Sequence, residues 1–323
     1  MKKNVILTSG SGYQFYQLQA FIETLFQTDY DGELAFFISD TDETTLHKLR
    51  EYPILLIPFS YKHPYLPEHP DIAAQIPEDI DFTPHPKTIR YIMYLAFLKA
   101  RKESYKNVML SDVRDVIFQK DPFDFSIDGK IYSFLEDKSQ KIKDNYYNAL
   151  WLKEAFGQDT LDRIGENYIV CSGITIGDYH PMVEYLEKLT HYIIYVVKDR
   201  GCKDQGIHNY LIYTNQIKNI KLITDDEGAV STITTHKPAS SVMLNDEKNV
   251  INKHHQIINI VHQYDRHWQL LWKYNKREYF IKKTDFLKQF FLAVKRAGKL
   301  KQSHLNNLQS ILFDPIWKKP RWE

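Results

Sequence analysis

The chain has few of the residues that would place it quickly. It holds two cysteines, Cys171 and Cys202, among 323 residues, and neither has metal-type spacing. That excludes a disulfide scaffold and a thiolate zinc site. With no secretory signal, because Met1-Lys2-Lys3-Asn4 leads straight into a short apolar strand, the expected compartment is reducing and cytoplasmic. No window approaches the roughly 18 uninterrupted apolar residues of a spanning helix. Only 12 glycines occur, and Ser9-Gly10-Ser11-Gly12 lacks both the full dinucleotide fingerprint and the phosphate-loop lysine, so a plain turn is the first reading of it. No internal repeat or low-complexity tract is found. Net charge is also nearly absent, at +1 overall, but it is unevenly spread. From Leu271 to Glu323 there are thirteen Lys and Arg against four Asp and Glu, a net of +9, which leaves the first 270 residues at −8. An acidic body argues against nucleic-acid binding, and a basic tail suits an anionic surface.

What is present is the composition of a soluble globular protein, 43% hydrophobic and 26% charged, with a surplus of 22 Tyr and 18 Phe. Such aromatics can line a sugar or base pocket, although most are ordinarily core. The length suits one enzymatic α/β domain with an appendage. Val5-Ile6-Leu7-Thr8 reads as a first strand, followed by the glycine stretch and a helix whose apolar face is Phe15, Leu18, Phe21, Ile22, Leu25 and Phe26. Strands at Leu34–Ser39 and Ile54–Ile57, separated by a helix near Glu43–Arg50, predict a mostly parallel sheet. Ser60 to Pro86 is too long for a plain connection and predicts a functional or mobile loop. Helical spacing returns over Thr88–Lys102, where Arg90 is either a solvated charge or a group delivered to the next strand.

That strand is the centre of the chain. Val108 to Phe118 reads VMLSDVRDVIF and carries Asp112, Arg114 and Asp115 at the end of an apolar run. Ligands of open α/β sheets collect at such carboxyl ends. Residues three apart on a strand point to opposite faces, so one ion can meet both carboxylates only if the chain turns between them. The strand is therefore expected to end near Ser111 and bend through Val113 and Arg114. An Asp-Arg-Asp ion pair at a surface strand end is the alternative.

Three later stretches add candidate groups. Tyr168 to Gly177 is a β-branched strand interrupted by Gly173, which predicts a bulge or the close approach of a ligand. Beyond a helix over Met182–Lys198, Asp204-Gln205-Gly206 reads as a helix N-terminus that either reaches a polar substrate or caps the helix. Ile257 to His262 is a late strand ending on a potential ligand. Two carboxylates and one imidazole, without thiolate, suit manganese or magnesium.

In this order, Ser111-Asp112-Val113-Arg114-Asp115, Cys171-Ser172-Gly173-Ile174-Thr175-Ile176-Gly177, Asp204-Gln205-Gly206 and Val261-His262-Gln263-Tyr264 resemble GT-A fold glycosyltransferases, over roughly residues 3 to 270. The resemblance implies a nucleotide-binding α/β/α sandwich with a mostly parallel sheet, and a D-x-D motif holding a divalent cation, Mn2+ or Mg2+, on a nucleotide-sugar diphosphate. Here the motif departs by one residue, to D-x-x-D. Asp115 then aligns best as metal ligand, with His262 the late ligand, while Asp112 falls to metal, ribose or donor sugar. By the same resemblance, Thr8 and Ser9 border the nucleoside, Arg90 lies near the donor, Ser172 and Gly173 border the donor sugar, and Asp204 and Gln205 face sugar and acceptor. The implied activity is hexosyl transfer, of galactose or glucose, from a UDP-linked donor to a saccharide or lipid-linked saccharide in polysaccharide biosynthesis. The Ser-Gly strand followed by Asp-Gln-Gly is similar to members that act with retention. A metal-dependent phosphohydrolase and a non-catalytic sugar- or nucleotide-binding scaffold are the alternatives.

Residues 271–323 form the expected tail. Phe286, Leu287, Phe290, Phe291 and Val294 share a helical face ringed by basic residues, and Trp317-Lys318-Lys319-Pro320-Arg321-Trp322 follows. Either the tail lies on an anionic membrane surface, at the inner face, or its Phe face packs on the catalytic body.

Overall fold

The structure is a computed structural model that describes residues 2–60, 66, 68–136, 138–224, 228–234 and 241–297, with backbone alone over 289–297. The chain opens with β1 (Lys3–Ser11), α1 (Phe15–Phe26), β2 (Glu33–Ser39), α2 (Glu43–Leu49) and β3 (Ile54–Pro58), the alternation read from its apolar pattern. The strand β1 runs past Thr8 because Ser9, Gly10 and Ser11 stay paired with Phe37, Ile38 and Ser39 of β2. The turn begins only at Gly12, whose φ of +63° favours glycine. Part of the predicted long loop, residues 61–65 and 67, lies outside the described residues. The remainder holds the short α3 (Pro70–Ala73), and α4 (Ile89–Ala100) then leads into β4 (Tyr105–Ser111).

The expected break follows. β4 ends at Ser111, Asp112 to Asp115 turn, and β5 (Val116–Phe118) leaves for a second sheet. Next come β6 (Ile131–Leu135), α5 (Tyr146–Phe156), α6 (Gln158–Ile164), β7 (Val170–Asp178) and α7 (Tyr179–His191), which continues into a π-helical turn over Tyr192–Val196. Then follow α8 (Asp204–Tyr213), β8 (Ile220–Ile223), β9 (Val230–Thr232), β10 (Ile260–His262), α9 (Trp268–Tyr274) and α10 (Lys276–Ala297).

The seven-stranded sheet has the order β3-β2-β1-β4-β7-β6-β8. It is parallel except where β7 pairs with β4 and β6. The mostly parallel α/β architecture is thus the one expected. A three-stranded sheet, β5-β10-β9, pairs His262 with Val116 and so brings it back to the turn after β4. Period-two side chains build two cores. Val5, Leu7, Phe37, Val108 and Leu110 pack with Ile92, Phe97, Met182 and Leu186, so α4 and α7 cover one face. Ile6, Phe36, Met109 and Ile176 pack with Leu18, Phe21, Ile22 and Leu25 of α1 on the other. Each such side chain contributes about 1.5–3 kcal/mol of burial, so both faces hold the strand ends rigidly.

The boundary set after residue 270 falls within α9. Leu270 and Leu271 are fully buried with Tyr264, so the first part of the basic segment packs on the body. No helix among the described residues is long and apolar enough to cross a membrane. Residues 298–323, including Trp317 to Trp322, lie outside the described residues.

On the inner face of α8, His208 is fully buried, with Nδ1 2.7 Å from the Tyr185 hydroxyl and no partner on Nε2. Burial pushes its imidazole down to about 3. An unfolded histidine titrates near ~6.5, so between those values the unfolded chain takes up a proton that the native chain refuses. Stability therefore falls as pH falls through this window, by at most ~1.4 kcal/mol per pH unit. His208→Gln should flatten that decline, seen as urea midpoints at pH 7, 5 and 4 that lie closer together than in the parent.

Candidate active site

Two breaks in regular structure build the site, one after β4 and one inside β7. Along β6, Ser133 pairs with Thr175 but the next residue, Phe134, pairs with Cys171, so β7 bulges out over Ser172, Gly173 and Ile174. The bulge leans on the turn after β4, where the Asp112 N–H donates to the Gly173 carbonyl at 2.7 Å. Extra residues on one strand re-aim side chains, and here they free Gly173 to sit against the imidazole of His262.

Asp112, Asp115 and His262 offer ligand atoms that all lie within 4.8 Å of one another. His262 Nε2 is 3.5 Å from Asp112 Oδ2 and 3.8 Å from Asp115 Oδ1. It is buried and makes no well-aligned hydrogen bond. On the other side of the ring, Nδ1 lies 3.4 Å from Cys171 Sγ and 3.5 Å from Thr232 Oγ1, contacts that fix the ring's orientation. An orphaned buried nitrogen facing two carboxylate oxygens is the donor set of a hard-to-intermediate divalent cation, and Mn2+ or Mg2+ fits it.

Each carboxylate turns its other oxygen to arginine. Asp112 Oδ1 accepts from Arg90 Nη1, and Asp115 Oδ2 lies 3.5 Å from Arg266 Nη2 and 3.9 Å from Arg114 Nη2. Burial raises the Asp112 carboxyl, but the Arg90 guanidinium and His262 outweigh it and hold the group well below the usual carboxylate range. For His262, burial opposes the charged ring, yet the Cys171 sulfur, Asp112 and Asp115 hold it well above the ordinary imidazole value. A cation held there would replace the proton that the carboxylates favour on the His262 ring.

Beside this cluster, Arg90 Nη2 reaches Asp204 Oδ2 at 3.4 Å and the Tyr91 hydroxyl at 3.0 Å. Asp204, the first residue of α8, is buried, and it also accepts from Tyr91 Oη at 3.2 Å and Ser172 Oγ at 3.4 Å. Its carboxylate does not cap the helix. Gln205 donates to Asn148 Oδ1 at 2.8 Å and Glu136 Oε1 at 3.2 Å, while its Oε1 accepts from the Ser172 N–H at 3.3 Å. Arg90, Asp112, Asp115, Ser172, Gly173, Asp204, Gln205 and His262 thus share one neighbourhood. Thr8 is near it but fully buried, donating to the Ser111 carbonyl at 2.9 Å, where it ties β1 to β4. Ser9 is half-buried.

Sequence reasoning missed the groups that hold Asp115 from behind. Arg114 Nη1 lies 2.7 Å from Glu278 Oε1 and 3.0 Å from Asp265 Oδ2, and Arg266 pairs with Asp265. Asp265 and Arg266 follow His262 closely in the sequence, but nothing local ties them to Arg114 or Asp115. Glu278 lies 164 residues from Arg114 and gives no local signal.

Gly173 is required by this packing. A Cβ there would meet His262 Cε1 at 2.5 Å, Nε2 at 2.8 Å and Asp112 Oδ2 at 2.9 Å. Gly173→Ala should therefore push the imidazole off its position and weaken cation binding by about 10-fold or more, with the fold retained; calorimetric titration of Mn2+ into both chains measures it.

No family model matches the chain, and no curated protein matches it. Solved structures are similar to it, among them two of one enzyme. A galactosyltransferase, LgtC, in complex with donor and acceptor sugar analogs aligns over 80% of this chain and 86% of that one, with 12% identity and a TM-score of 0.45. An active-site Gln-to-Glu mutant of LgtC aligns over the same shares with 11% identity and a TM-score of 0.43.

Proposed function

We propose that the chain is a metal-dependent glycosyltransferase that moves galactose or glucose from a UDP-linked donor to a saccharide or lipid-linked saccharide, with retention. The observation that carries this reading is the convergence of Asp112 Oδ2, Asp115 Oδ1 and His262 Nε2 beneath the Ser172-Gly173 bulge, with Asp204 and Gln205 on its other side. Asp115, His262 and Asp112 would hold the cation, Mn2+ in preference to Mg2+ because a nitrogen ligand is present. When bound, it supplies a positive charge against the diphosphate leaving group.

The chain's own residues do the rest. Arg90 holds Asp112 by Oδ1 and balances part of its charge, which leaves Oδ2 to face the cluster. Ser172 and Gly173 would border the donor sugar, with Gly173 packed on the imidazole so closely that no side chain fits between the bulge and the cluster. As the anomeric carbon becomes oxocarbenium-like, the Asp204 carboxylate and the Gln205 Oε1 are the acceptor-only groups beside it, and both stabilise positive charge there. Gln205 is held by Glu136 and Asn148 through its amide, so the carbonyl end faces the bulge. Thr8 and Ser9, in the C-terminal half of β1, would stand on the nucleoside side.

Two-metal phosphohydrolysis needs a second ligand set about 3.5–4 Å from the first, and among the described residues one three-ligand group is found. A decayed scaffold is disfavoured by the intact trio. A thermal-shift panel of UDP-, GDP- and CMP-sugars with and without Mn2+ tests the reading, because a ligand that binds the native state raises its midpoint. The expected result is a shift with a UDP-hexose that needs Mn2+; no metal-dependent shift with any donor would sink it. The basic tail is proposed to meet an anionic membrane at the cytoplasmic face. Sedimentation with phosphatidylserine vesicles should then fall on truncation after Ala297, and equal binding would remove that role.

A further inference from the structure

We propose that Glu278, on the C-terminal helix α10, is a positioning residue for the cation site, acting through Arg114 on Asp115. The inference rests on reading Asp112, Asp115 and His262 as a cation site, and goes beyond it by making the first turns of α10 part of that site's support.

Glu278 is buried, and both its oxygens are engaged. Oε1 lies 2.7 Å from Arg114 Nη1 and 3.1 Å from Lys282 Nζ, and Oε2 accepts from Asn275 Nδ2 at 3.2 Å. Asn275 in turn accepts from the Glu278 N–H at 3.0 Å and donates to the Tyr16 carbonyl on α1. The start of α10 is thus pinned on two sides. Asp265, also buried, lies 3.0 Å from Arg114 Nη1 and 2.5 Å from Lys282 Nζ, and it pairs with Arg266. Three acids, Asp115, Asp265 and Glu278, therefore share three bases, Arg114, Arg266 and Lys282.

In a balanced buried network each charge limits what its neighbours can do. Arg114 stands between two demands. Its Nη1 serves Glu278 and Asp265 at hydrogen-bond distance, while Nη2 is held back at 3.9 Å from Asp115 Oδ2. Without the Glu278 charge, Arg114 moves toward Asp115, the nearest remaining carboxylate outside its pair with Asp265, and competes there with a cation. Without Lys282, Asp265 and Glu278 draw Arg114 harder and Asp115 is freer. A purely structural network would behave differently, since both losses would loosen α10 and disturb the site in the same direction.

The test is calorimetric titration of Mn2+ into the full chain and its variants, with circular dichroism as the check on folding. Glu278→Gln should weaken Mn2+ affinity by about 10-fold, as loss of an outer partner of a metal ligand commonly does. Glu278→Asp, which keeps the charge, should recover most of that loss. Lys282→Met should bind Mn2+ no more weakly than the parent although its unfolding midpoint drops. Asp285→Asn, an exposed acid further along α10, should leave affinity unchanged.

Parent-like affinity in a folded Glu278→Gln chain overturns the positioning role, as does a Lys282→Met chain that binds more weakly. If Glu278→Gln fails to fold, the Lys282→Met result decides. A parent chain that binds no Mn2+ would instead overturn the cation site itself.

Discussion

Asp115→Ala should abolish the Mn2+-dependent rise in unfolding midpoint and lower sugar transfer by about a thousandfold or more, since a metal's charge stabilisation is worth several kcal/mol and each ~1.4 kcal/mol is tenfold. The loss is expected to exceed that of one ligand. Asp115 Oδ2 faces Arg266 at 3.5 Å and Arg114 at 3.9 Å, and once the carboxylate is gone those guanidinium charges stand beside the His262 nitrogen and repel a cation. The fold should survive, because Arg114 keeps Asp265 and Glu278, and Arg266 keeps Asp265. Asp115→Asn separates shape from charge. It fills the same space but cannot balance the two arginines, so it should fail nearly as badly as Ala. Thermal unfolding with and without Mn2+ reads both variants, and an undiminished shift in either would take Asp115 out of the site.

Those arginines also mark where sequence reading stops. The turn between Asp112 and Asp115 was legible because strand geometry forbids two residues three apart from sharing a face, and β4 ends at Ser111 as that demands. The bulge at Gly173 was legible for a similar reason, a glycine inside a β-branched run. His262 was legible as a polar group ending an apolar run. Hydrophobic periodicity reports on one element at a time, however, and the ends of elements escape it: β1 continues to Ser11 on backbone pairing with β2, and the late strand shrinks to Ile260–His262. The charge pairing of Arg114 with Glu278 escapes it altogether, because the contact is made by helices α9 and α10 folding back on the body. The basic segment that begins at Leu271 reaches the neighbourhood of the candidate site through Glu278, in the first turn of α10.

Arg90→Met should be the most destabilising of the site variants and, unlike Asp115→Ala, should be partly rescued by cation. Arg90 is buried between Asp112 and Asp204, with Nη2 also on the Tyr91 hydroxyl. Removing one partner of a buried ion pair costs about 3–5 kcal/mol, because an uncompensated charge is left behind. Asp112 is about a third exposed, which lets water offset part of that, so roughly 3 kcal/mol is the expectation. At about 1.5 °C per kcal/mol for a chain of this length, the midpoint should fall by roughly 4 to 5 °C. Two consequences separate this from simple loss of packing. Arg90→Met with Asp204→Asn should recover stability relative to Arg90→Met alone, since one stranded carboxylate becomes neutral. Mn2+ should also raise the midpoint of Arg90→Met by more than it raises the parent's, because Asp112, released from Arg90, then offers its full charge to the cation. If neither compensation is seen, Arg90 acts as a spacer in the packing of α4 and not as the counter-charge that shapes the site.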